Sequence, residues 1–130
     1  MDWKQKSLEV LENNKWPDEK EYLTGLIKRC HDYRKIPVGK LTAGELRTLI
    51  GQNIGLPYLV PIAIDFLKTD VLIEGDLYPG DLLDSVLSIE KTFWTQQLDL
   101  KRVLVDLITI NSDKIKNEDI DPDHFMALNA

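Results

Sequence analysis

The sequence predicts an all-α protein, a single compact domain of about six helices with one hydrophobic helix at its centre. Apolar residues recur at helical spacing along nearly the whole chain. The segment 56–64 is apolar almost without a break, so its helix must bury nearly every face. The chain has 130 residues, which suits one domain, and no repeat, low-complexity tract or long linker divides it.

The N-terminal half is expected to hold three helices. The first covers 4–13, and the second covers 19–33 with Cys30 on its apolar face. Thr42 followed three residues later by Glu45 is a capping-box pattern, because each side chain can bond to the backbone N–H of the other residue. A third helix therefore begins at this pair.

Two prolines shape the central helix. Pro57 suits a first turn, where a backbone N–H has no helical partner in any case. Pro61 lacks the N–H that a helix interior needs and disfavours a helical conformation at the residue before it. We therefore expect an irregular start followed by a regular helix over 61–68.

Two more helices are expected in the C-terminal half. A fifth starts at Pro79 or Gly80 and ends at Leu87, and a long last helix covers 93–111. Short strands near 71–73 remain an alternative. The final residues, 118–130, are expected to form a flexible exposed tail, held by Phe125 and Met126.

Composition restricts the class of protein. The chain has 22 acidic and 16 basic side chains and a formal charge of −6, which argues against nucleic-acid binding and favours a basic partner. The apolar run at 56–64 is too short to span a membrane, and the first residues lack the pattern of a signal peptide. A single cysteine excludes an intrachain disulfide. We expect a cytoplasmic protein that does not insert into membranes.

The sequence contains no recognisable catalytic or metal-binding motif. Cys30 and His31 are adjacent on a helix, so their side chains point about 100° apart, which suits a core cysteine beside a surface histidine. The other histidine, His124, is far away in sequence. Gly51 and Gly55 do not form a phosphate-binding loop, and no spacing suits zinc. We therefore expect no enzyme activity, cofactor or metal.

An acidic segment at 71–90 is the best candidate for a binding surface, because it contains five carboxylates and neither lysine nor arginine. They are Glu74, Asp76, Asp81, Asp84 and Glu90. The carboxylates could bind arginine and lysine side chains of a partner. Alternatively, Asp76 and Asp81 could cap the helix that follows, where negative charge opposes the helix dipole. A metal or acid–base site at 74–84 is a weaker alternative, since it needs an enclosing pocket.

The central segment resembles a known family. The stretches IGQNIGL at 50–56, YLVP at 58–61 and EGDLYPGDLL at 74–83 together are similar to the immunity proteins of contact-dependent growth inhibition (CDI) systems. The neighbouring Leu46-Arg47 pair and the Cys30-His31 pair, which Tyr33-Arg34-Lys35 follows, also fit. The resemblance covers about residues 7–95.

The resemblance implies a cytoplasmic, all-helical protein that binds the C-terminal toxin domain of a surface-delivered effector. Such toxins are often nucleases, and we favour a ribonuclease. We expect a one-to-one complex in which the acidic face covers the basic active site. The alternative is a helical adaptor that binds a protein unrelated to any toxin.

Overall fold

The protein is helical throughout the residues that the structure describes. A computed structural model describes residues 2–18 and 21–127. These residues contain nine α-helices and no strand, which confirms the all-α prediction. The helices are α1 Leu8–Leu11, α2 Gly25–Tyr33, α3 Ala43–Gly51, α4 Leu56–Thr69, α5 Asp81–Leu87, α6 Lys91–Thr95, α7 Leu98–Ile110, α8 Ser112–Asn117 and α9 Asp123–Ala127.

The hydrophobic helix α4 lies in the core, as predicted, and packs against α3, α5 and α7. It runs without interruption through Pro61, so the expected irregular start is wrong. An internal proline costs about 3 kcal/mol, whereas each buried aliphatic side chain contributes about 1.5–3 kcal/mol. The packing therefore outweighs the proline, since five large aliphatic side chains of α4 are buried, namely Leu59, Val60, Ile62, Ile64 and Leu67.

Helices α3 and α5 form a closely packed pair beside α4. The predicted capping box opens α3: the Glu45 N–H donates to Thr42 Oγ1 at 3.2 Å, and the Thr42 N–H donates to Glu45 Oε1 at 2.9 Å. Helix α5 follows Gly80, whose φ of 86° is in the left-handed region that favours glycine. Both predicted starts are confirmed.

Helix α2 begins later than predicted. The side chain of Thr24 accepts a hydrogen bond from the Ile27 N–H at 3.1 Å and caps the helix, which starts at Gly25. Residues 19–20, where the helix was expected to start, lie outside the described residues. The predicted burial of Cys30 is confirmed.

The first and last predicted helices are both shorter than expected. Ser7 caps α1 by accepting from the Val10 N–H, so the segment expected to be one helix starts with a short 3-10 turn, Trp3–Gln5. The expected last helix is divided into α6 and α7 at Gln97, whose φ of −133° and ψ of 55° are not helical. No glycine or proline marks this break in the sequence, which explains why the pattern did not show it.

The C-terminal segment packs against the domain at residues 118–127. It contains α9 and two buried side chains, Ile120 and Phe125. The Phe125 ring meets the ring of the buried Trp94 edge to face, with 5.1 Å between centroids. Ile120 and Phe125 are therefore held against the domain, whereas a flexible exposed tail was expected for this segment. Residues 128–130 lie outside the described residues.

Within the described ranges, no helix has the length and apolar character needed to cross a bilayer.

Candidate protein-binding surface

The five predicted carboxylates differ widely in exposure. We call residues 74–80 the acidic loop; it connects α4 to α5 and carries two of them. Two more lie in the first turn of α5, and the last precedes α6. Glu74, Asp76 and Glu90 are exposed, Asp84 is half-buried and Asp81 is buried.

Asp81 holds the acidic loop from inside. The residue is only 2% exposed. Its two oxygens accept hydrogen bonds from the backbone N–H groups of Gly75, Asp76 and Leu77 at 2.6, 3.2 and 3.0 Å. The carboxylate does not cap α5, because Gly80 is the N-cap residue and no side chain bonds there. Asp81 is therefore a structural anchor of the loop and cannot meet a partner in this conformation.

The acidic loop is also fixed to α3. The Arg47 Nε donates to Asp76 Oδ1 at 2.8 Å and lies 3.7 Å from Asp81 Oδ2. One turn earlier, Gly44 lies against Gly75 so closely that a Cβ atom on Gly75 would be 3.0 Å from the Gly44 Cα. Two glycines in contact and one arginine thus set the position of the loop.

Two exposed apolar residues lie within the acidic loop, and neither is among the candidates predicted from the sequence. Leu77 is 62% exposed and Tyr78 is 42% exposed. The Tyr78 hydroxyl donates to Asp84 Oδ2 at 2.5 Å, and this hydrogen bond raises the pKa of Tyr78 to about 12. The sequence did contain a signal for this pair, because two large apolar residues stand between carboxylates and belong to no helical apolar pattern.

A shallow groove of about 290 Å³ lies between the acidic loop and α5. Tyr78 and Asp84, which are hydrogen-bonded to each other, both line it, and Arg47 and Gly51 contribute from α3. The groove therefore combines an aromatic ring, a carboxylate and open space. Its lining residues are Arg47, Gly51, Leu77, Tyr78, Asp81, Asp84, Ser85 and Ser88.

A second polar cluster holds the N-terminal segment on α2. The buried Arg34 donates to Glu12 Oε1 at 2.9 Å and to the Asn14 carbonyl at 2.8 Å. Its guanidinium carbon lies 4.3 Å from the centre of the Trp16 ring, a cation–π distance. All these contacts lie within the molecule, so the cluster serves the fold.

His31 is buried, so its expected surface position is wrong. Its ring packs against Tyr22, with 5.4 Å between centroids, and Nε2 lies 3.3 Å from Asp18 Oδ1. The segment before α2 covers the ring, which helical spacing alone could not show. Burial raises the pKa of the neighbouring Cys30 thiol, and a protonated thiol is a poor nucleophile.

Within the described ranges, histidine, cysteine and carboxylate side chains form no group of three or more that could hold a metal ion. Fold and surface together define a small, acidic, all-helical protein with a rigid exposed loop, which is the character of a protein-binding domain.

The model of a family of CDI immunity proteins matches residues 10–104, and the chain belongs to this family. The match includes α2 to α5, the acidic loop and Arg47, and confirms the resemblance seen in the sequence. Searches of curated proteins and of solved structures found no match. The protein is thus an immunity protein, and its partner is the cognate toxin of a CDI system.

Proposed function

We propose that the protein neutralises a nuclease toxin, with a ribonuclease favoured, by covering its active site in a one-to-one complex. The observation that carries this proposal is the family match over residues 10–104. The formal charge of −6 supports it, because a nuclease binds a polyanion and needs a basic cleft. The proposed inhibitor acts in the cytoplasm as a binder, without catalysis, cofactor or metal.

Four of the predicted carboxylates form the proposed contact region. Asp81 is left out because it is buried and bonded to the acidic loop. Exposed carboxylates accelerate encounter with a basic partner, and this effect weakens as salt screens the charges. The remaining candidates are Glu74, Asp76, Asp84 and Glu90.

Co-expression tests the proposal. The toxin domain encoded immediately upstream is expressed in cells with and without this protein, while growth, RNA integrity and DNA integrity are followed. We expect growth and intact RNA only when this protein is present, and purification of the two chains together in equal amounts.

Three results would count against the proposal. The loss of both protection and co-purification would refute toxin binding. Protection from a toxin that leaves RNA and DNA intact would refute the nuclease assignment. Stable capture of a housekeeping protein by a chain that is indifferent to the toxin would favour the adaptor alternative.

A further inference from the structure

We propose that Leu77 and Tyr78 form the centre of the contact with the toxin. They pack into an apolar depression on the toxin surface, and arginine side chains border this depression. This inference rests on the proposed function and adds where the partner binds and what it presents. In this arrangement, the acidic loop presents two apolar side chains that are already in place before binding, with carboxylates around them.

Exposure and rigidity distinguish this pair from other surface residues. Isolated exposed apolar side chains are common and need no explanation. Among the large apolar residues that the structure shows as exposed, Leu77 and Tyr78 are the two adjacent in the chain. They lie on a loop that Asp81 holds through three backbone hydrogen bonds. A fixed loop loses little conformational entropy on binding, so most of the contact energy is available as affinity.

The charges around the pair indicate the chemistry of the partner. Glu74, Asp76 and Asp84 lie close to the pair in the chain, Asp81 lies beneath the loop, and Arg47 from α3 is the cation that the structure pairs with two of these carboxylates. The local charge is therefore negative. An apolar centre within a polar rim is the usual arrangement of an interface hot spot, in which the rim excludes water and selects the partner by charge.

Tyr78 and Asp84 favour arginine as the neighbouring cation. The hydrogen bond from the Tyr78 hydroxyl to Asp84 fixes the ring beside the carboxylate, and both line the groove. Both cations are attracted to the face of an aromatic ring, but only the planar guanidinium can lie flat on the ring and donate in its own plane to a carboxylate. The groove of about 290 Å³ leaves space for such a side chain.

A matched pair of variants tests the location. Leu77 is 62% exposed and Leu98 on α7 is 63% exposed, so Leu77→Ser and Leu98→Ser make the same chemical change at equal exposure. Binding of the purified, catalytically inactivated toxin domain is measured by calorimetry. We expect Leu77→Ser to weaken the Kd at least about 30-fold, and Leu98→Ser to change it less than about threefold.

Two variants of Tyr78 distinguish the contribution of the ring to affinity from that of the hydroxyl. Tyr78→Ala removes both groups, and Tyr78→Phe removes the hydroxyl alone. We expect the alanine variant to lose about as much affinity as Leu77→Ser, and the phenylalanine variant to retain most of it, because the ring remains. Thermal unfolding of each variant alone checks the fold, and both positions are exposed enough to keep it.

The outcomes distinguish this inference from the proposed function. If the wild type binds the toxin and the Leu77 and Tyr78 variants bind equally well, the location is wrong and the proposed function stands. If the wild type fails to bind, both fail. If the wild type self-associates in sedimentation experiments and Leu77→Ser abolishes this, the surface serves a second copy of the chain and the inference is overturned.

Discussion

At the scale of single residues, Asp81 and Asp84 show how similar carboxylates take different roles. Both lie in the first turn of α5, but Asp81 points into the acidic loop and Asp84 meets a tyrosine hydroxyl. The sequence could not separate them, because neither the path of the 75–77 backbone around Asp81 nor the approach of Arg47 shows in a sequence pattern. The candidate segment was predictable; the burial of one of its members was not.

Replacing Asp81 with asparagine should destabilise the protein by about 2–3 kcal/mol, since one amide oxygen cannot replace two charged acceptors of three N–H groups. Urea denaturation measures the loss. Asp106→Asn makes the same change at an exposed position on α7 and should alter stability by less than about 0.5 kcal/mol. Equal stability of both variants would contradict the anchoring role.

Tyr78 provides a test based on pH. Its pKa of about 12 in the folded protein lies above the ordinary value of 10.0, because the hydroxyl donates to Asp84. Its stabilising contribution is therefore fully present below pH 10.0 and is lost as the pH rises through about 12. In an ultraviolet titration, one of the four tyrosines should ionise late, and Asp84→Asn should lower its pKa. An unchanged titration curve in that variant would exclude the hydrogen bond.

At the scale of elements, the features that depend on neighbouring residues were predicted correctly, and those that depend on tertiary packing were not. The Thr42–Glu45 capping box and the start of α5 after Gly80 depend on neighbours in sequence, and both are confirmed. The unbroken course of α4 through Pro61 depends on burial against other helices. The apolar pattern predicted this burial, but it did not show that the packing would outweigh the cost of Pro61.

The C-terminal helix α9 supplies an element-scale prediction. Phe125→Ala should destabilise the protein by about 3 kcal/mol, because it removes a buried ring that packs on Trp94. Met126→Ala, at a half-buried neighbouring position, should cost clearly less. Thermal unfolding gives both values. If Phe125→Ala matched the wild type, the segment 118–127 would be a flexible tail, as the sequence first indicated.

At the scale of the whole molecule, the family and the fold agree with the sequence analysis, whereas the proposed contact at Leu77 and Tyr78 was not among its predictions. The motif residues that identified the family include Leu59 and Val60, which are buried in α4, and Gly75, which lies against α3. They explain the fold and do not locate the partner. Exposure of Leu77 and Tyr78 emerged only when the surrounding helices were in place.

The central claim is that this protein inhibits its toxin by binding it directly. The most direct measurement is a titration of the purified toxin domain, with its nuclease activity followed as this protein is added. We expect a linear fall in activity that reaches zero at one equivalent. Full activity at a large molar excess of the folded protein would contradict it.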